Sequence, residues 1–158
     1  MWRRMGVVYR LDRAFALTLT VFDGIVTGEE WCSTVREIFA DTSWPPGRLN
    51  LTDLRTADLS GITVADRTEV YAINARHAHN LVGMKSAAVG EANFERARRF
   101  ERDDRSSGLR IIPFDGLGPA CAWLGVDARA VGSMIDELRS GVPKPKLPAE
   151  RLGNGGTF

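Results

Sequence analysis

Cysteine is scarce in this chain: Cys32 and Cys121 are the only two. Neither their spacing nor their context matches a secreted disulfide scaffold. Both fall at apolar positions of helical patterns, beside Trp31 and Trp123, so two buried free thiols are expected. Long hydrophobic runs are also missing. No segment approaches the ~18 continuous apolar residues of a membrane span, and "MWRRMGVVYRLDR" lacks the apolar stretch of a signal peptide. Neither sign of charge dominates: the net charge is +1, which implies no bulk attraction to nucleic acid or membrane. Arg far outnumbers Lys, a compositional bias rather than a binding signal. No P-loop, dinucleotide fingerprint or nucleophile elbow occurs. These absences leave the expectation of a soluble cytoplasmic chain with no visible catalytic set and no cofactor.

What is present is enough for one packed domain, with 158 residues of which 44% are hydrophobic. "GVVYRL" (Gly6–Leu11) and "AFALTLTVF" (Ala14–Phe22) read as a hairpin around "DR", with Phe15, Leu17, Leu19 and Val21 on one face. Thr27 with Glu30 three residues on forms a capping-box signal. Trp31, Val35, Ile38 and Phe39 then share one helical face up to the stop at "WPPG". "RLNLTDL" (Arg48–Leu54) reads as a strand with Leu49, Leu51 and Asp53 on one face. Val64 to Leu81 reads as a helix, Lys85–Gly90 as a buried strand and "EANFERARRFERDD" as an amphipathic helix. Gly108–Phe114 is a further strand, with Pro113 at its end or on a sheet edge. Asp115 is a candidate N-cap and Gly125 a C-terminal stop for the next helix. Val131, Met134, Ile135 and Leu138 mark a last one. The Pro- and Gly-rich end from Gly141 predicts a flexible tail. Strands alternating with helices after an opening hairpin imply an α/β mixed sheet whose later strands are parallel, joined by right-handed crossovers.

Three stretches, "RLNLTDLRTADLS", "KSAAVGEANFERARRFE" and "LRIIPFDGLGPACAWLGV", together resemble the SpoIIAA-like fold, which STAS domains share with a group of small uncharacterised bacterial proteins. The resemblance covers residues 5 to 126. It predicts a SpoIIAA-like, STAS-like domain over 1–126; outside the resemblance, the apolar pattern predicts a helical extension over 127–141 and the Pro- and Gly-rich composition a flexible tail over 142–158. In anti-sigma-factor antagonists of this fold the crossover helix begins Asp-Ser-Ser-Gly-Leu, and the second serine is phosphorylated by a partner kinase. Asp58-Leu59-Ser60-Gly61-Ile62 resembles that motif, with Ser60 at the phosphorylated position and Leu59 in place of the first serine. Two readings of Ser60 stand side by side. A phosphate there would be stabilised by a helix N-terminus, and the same geometry makes serine an ordinary N-cap.

Other constellations are less specific. Asp53, Asp58 and Asp66 crowd the same crossover, but three acids without shown convergence are expected to be caps and ion pairs rather than metal ligands; Asp53 with Arg55 reads equally as an interaction site or as a structural pair. His77 and His79 are two residues apart on a helix and point about 200° from each other, so they do not form a metal pair. Arg96, Arg98, Arg99, Arg102 and Arg105 make one helix locally basic, with Glu95, Glu101, Asp103 and Asp104 offsetting them. This reads as a solvated face or a docking surface for an acidic partner, not a nucleic-acid site.

By resemblance, the expected function is a non-enzymatic regulatory or protein-interaction module, phospho-regulated at Ser60, with Asp53, Arg55, Asp58, Arg96 and Arg99 as candidate interaction residues. The rival is a binder of a lipid-like or nucleotide molecule between the sheet and a helix, which a pocket lined by Trp and Phe with an Arg at its mouth would favour. An enzyme would need Asp53, Arg55 or Asp58 to converge in a cleft. The apolar stripe of the last helix, Ala128 to Arg139, is too regular to lie in water, so it must be buried against its own domain, to which the short "GVDA" link lets it fold back, or against a second chain; a homodimer contact is expected.

Overall fold

A computed structural model describes residues 6–41, 48–90, 93–96, 98 and 110–141. The hairpin is β1 (Val7–Asp12) and β2 (Leu17–Ile25), paired antiparallel from Val7 against Phe22 to Asp12 against Leu17. Its turn is longer than "DR". Asp12 Oδ1 accepts from the Phe15 amide, and Ala16 sits at φ 51°, a left-handed conformation more usual for glycine. Ala14 to Ala16 therefore belong to the loop, and the strand starts at Leu17.

Helix α1 (Gly28–Ala40) follows, capped by Thr27 and Glu30 in the expected reciprocal box. The next strand, β3 (Leu49–Asp58), lies parallel to β2 and runs four residues past the predicted end at Leu54. Helix α2 (Val64–Arg76) and the one-turn α3 (Ala78–Leu81) replace the single helix expected over 64–81, with the break at His77. Strands β4 (Lys85–Val89) and β5 (Arg110–Phe114) complete a five-stranded sheet of order β1-β2-β3-β4-β5, parallel from β2 onward. Pro113 lies on β5, an edge strand, where one side needs no ladder donor. Helices α4 (Leu117–Leu124) and α5 (Ala128–Ser140) end the described chain. The cap of α4 is Gly116 and not Asp115, and no side chain bonds to its first amides. Gly125 ends α4 at φ 76°, as its sequence position predicts. The proline stop at 44–47, most of the basic helix (Arg99, Arg102 and Arg105 with it) and the tail from 142 lie outside the described residues.

Helices cover both faces of the sheet. On one, Leu17, Leu19, Val21, Leu51, Ala87 and Val89 meet Ala120, Cys121 and Leu124 of α4 and Val131, Met134 and Ile135 of α5 in the largest apolar cluster. The stripe on which the dimer expectation rested is thus covered by the chain's own sheet. Helix α5 packs against α4, β2 and β1. On the other face α1 and α2 pack on each other through Cys32, Val70 and Ile73. Their N-termini meet closely: a Cβ at Gly28 would fall on the Asp66 carboxylate. Two smaller clusters close this side, Phe22, Val26, Leu54, Leu59 and Ala88 toward the carboxyl ends of the strands, and Leu81 with Met84 toward the other end.

Candidate functional site

The crossover after β3 is built around a register shift. Val21 faces Asp53, but two residues on Asp23 faces Thr56, so β3 carries an extra residue there. A bulge leaves an amide without its ladder partner. Asp53 supplies that partner: its Oδ1 accepts from the Arg55 amide at 3.1 Å and from Arg55 Nε at 2.9 Å. Its Oδ2 accepts from Arg55 Nη2 at 3.1 Å and from Arg139 Nη2, on α5, at 2.8 Å. Asp53 is fully buried, while the Arg55 and Arg139 side chains are 22% and 26% exposed. A buried carboxylate needs this complete set of partners, since an unpaired charge in the interior is strongly destabilising. Asp53 and Arg55 therefore form an ion pair, one of the two readings the sequence left open, with Arg139 as a third member that sequence reading missed.

Beyond the bulge β3 outruns β4, whose pairing stops at Asp53 with Val89. The exposed carbonyls of Leu54 and Ala57 are met instead by the Asn93 side-chain amide, at 2.8 and 3.0 Å. Asp58 then ends the strand. Its Oδ1 accepts from the Ser60 amide at 3.0 Å and from the Ser60 hydroxyl at 2.6 Å, closing a tight turn on the surface. The Ser60 hydroxyl bond, then the Ser60 amide bond, holds the Asp58 carboxyl below its ordinary range, and the Arg96 charge adds to this. The structure thus brings Asp58 and Ser60 into direct contact. Arg99 lies outside the described residues.

Ser60 is not the helix cap. That role belongs to Thr63, whose hydroxyl accepts from the Asp66 amide at 3.1 Å while Asp66 Oδ2 accepts from the Thr63 amide at 2.8 Å. The sequence holds the signal, Thr-x-x-Asp, a variant of the usual Thr-x-x-Glu box. Asp53, Asp58 and Asp66 are consequently engaged in three separate local structures, and among the described residues no group of three metal-ligating side chains occurs. His77 stacks on Phe39 with ring centroids 4.2 Å apart, and its Nδ1 lies 2.9 Å from the Ile73 carbonyl. Cys32 and Cys121 are buried free thiols, and burial pushes both up from the ordinary thiol value, away from thiolate chemistry.

Two exposed apolar side chains flank the crossover. Ile25, paired with Asp58 across the β2–β3 ladder, is 66% exposed, and Val64, the first residue of α2, is 68% exposed.

A cavity of about 130 Å³ lies between the sheet and α2. Phe22, Trp31, Leu54 and Val70 give it apolar walls; Thr20, Asn50, Thr52, Tyr71 and Asn74 give it hydroxyls and amides. The tryptophan and phenylalanine of the expected small-molecule pocket are present. No arginine is among its described lining residues, so a nucleotide phosphate would meet no cation there.

An antiparallel hairpin continued by three parallel strands, with helices on both faces, is the architecture of the SpoIIAA-like class, and the chain has this fold. Among solved structures it is similar to an uncharacterized protein of the DUF3478 family with a SpoIIAA-like fold from Shewanella loihica PV-4. The TM-score is 0.51 at 16% sequence identity, over 78% of this chain and 98% of that one. Identity at this level shows the fold alone. No protein-family model and no curated protein matches the sequence. Among the described residues, no helix is long and apolar enough to cross a membrane.

Proposed function

We propose that the protein is a non-enzymatic interaction module that docks a protein partner on the rim formed by Ile25, the Asp58–Ser60 turn and Val64, with Ser60 as its regulatory residue. The observation that carries this reading is the release of Ser60 from capping. Thr63 and Asp66 hold the start of α2, so Ser60 stands exposed in a turn of its own with its hydroxyl on Asp58. A phosphate on Ser60 would remove the hydroxyl donor, repel the Asp58 carboxylate and enter the field of Arg96. The turn would open and the rim would change shape and charge. In the anti-sigma-factor antagonists that the sequence resembles, the serine at the matching motif position is phosphorylated, which supports the same reading, although Ser60 here lies three residues before the Thr63 cap.

Photo-crosslinking tests it. A crosslinking side chain placed at Ile25 or Val64 should capture a discrete partner in the cell of origin, and Ser60→Asp should abolish the capture. Val82, equally exposed at 68% but near the opposite ends of the strands, serves as the control position. Equal capture from Val82, or capture indifferent to Ser60→Asp, would remove the reading. The cavity between the sheet and α2 favours a second reading, small-molecule binding.

A further inference from the structure

The two faces of the sheet differ in chemistry. Toward α4 and α5 the central strands present Leu17, Leu19, Leu51 and Ala87. Toward α1 and α2 their alternate positions are Thr18, Thr20, Asn50, Thr52 and Ser86. Strands covered on both faces ordinarily carry apolar residues on both. Hydroxyls and amides placed there are costly unless hydrogen-bonded. Part of this set is satisfied internally, since Asn50 Nδ2 donates to Ser86 Oγ at 2.7 Å. Thr20, Asn50 and Thr52 of this set line the 130 Å³ cavity. Its origin is the placement of α2, which packs chiefly on α1 and turns Tyr71 and Asn74 toward the sheet across the gap.

We propose that this cavity is a binding site for a small uncharged amphiphile, one ring in size with a single hydrogen-bonding group, of the phenol class. Volume sets the size: an apolar cavity of about 150 Å³ accepts one benzene. Lining chemistry sets the class. Phe22, Trp31 and Val70 would hold the ring, and the Thr20 and Thr52 hydroxyls, each both donor and acceptor, face its hydroxyl. No described lining residue is charged, so a carboxylate or phosphate would be desolvated without a counter-ion. The alternative filling is water, about four molecules at ~30 Å³ each. This site is independent of the rim at Ile25 and Val64, and its test does not depend on any protein partner.

The test is calorimetric titration of the full chain with p-cresol, with toluene and benzoate as comparisons. Saturable binding at one site per chain is expected. Loss of the hydroxyl in toluene should weaken it about fivefold, the usual scale of one neutral hydrogen bond. Benzoate should not bind. Ala88→Leu fills the cavity and should abolish p-cresol binding. Thr52→Val keeps the shape, so it gives a folded variant should Ala88→Leu fail to fold, and it should weaken binding about fivefold. Absence of saturable binding would mean a water-filled cavity and overturn the proposal. So would equal binding of benzoate, or p-cresol binding that neither variant reduces.

Discussion

Arg139, in the last turn of α5, donates from Nη2 to the fully buried Asp53 carboxylate at 2.8 Å, joining residues 86 positions apart. This bond and the apolar stripe beneath it make the last helix part of the core. Cutting the chain after Gly125 would remove the bond and uncover Leu17, Leu19 and Val21. It would also remove Val131, Met134 and Ile135, each worth roughly 1.5–3 kcal/mol of burial. Their sum approaches the whole stability of a typical domain, about 5–15 kcal/mol. The truncated chain is therefore expected to lose cooperative thermal unfolding. A sharp transition near the full-length temperature would contradict this. Arg139→Met alone should cost about 1–3 kcal/mol, since Asp53 retains Arg55, as read from denaturant midpoints. Combined with Asp53→Asn the two changes should be non-additive.

The two polar residues at the crossover should respond differently to alanine. Thr63→Ala removes half of a capping box and is expected to cost about 1 kcal/mol. Ser60→Ala removes one exposed turn bond and should cost less. Urea denaturation of both variants decides it. A larger loss at Ser60 would assign the serine to stability rather than regulation.

Asp58 should titrate below the ordinary carboxylate range, because Ser60 donates to its charged form. A folded-state value below the unfolded one means that the carboxylate contributes stability at pH above the unfolded value. That contribution is lost as pH falls through the folded value. A carbon-detected NMR titration of Asp58 gives the midpoint directly. Ser60→Ala should raise it, and an unchanged midpoint would show that the hydroxyl bond does not persist in solution.

Much of the fold was legible because its signals are local. The alternation of Leu17, Leu19 and Val21 follows the two-residue period of a strand. The Thr27–Glu30 box and the stop at Gly125 each involve residues a few positions apart. The Lys85–Val89 strand and the stripe of α5 were likewise visible as patterns. The covering of that stripe was not visible, because periodicity says that a face must be buried and not by what.

The tertiary structure decided the rest, for reasons that no short window contains. β3 continues through the polar "RTAD" because β2 supplies ladder partners from Asp23 to Ile25. The Asp53 carboxylate completes its set of partners only with Arg139, from the far end of the chain. Ser60 alone was read as able to start α2; the backbone path over the end of β3 gave the cap to Thr63 and left Ser60 to Asp58. The cavity depends on how far α2 stands from the sheet, which is set by its packing on α1. Sequence patterns specify which residues must be buried or capped. Which distant groups meet, and what space remains between them, follows from packing the whole chain.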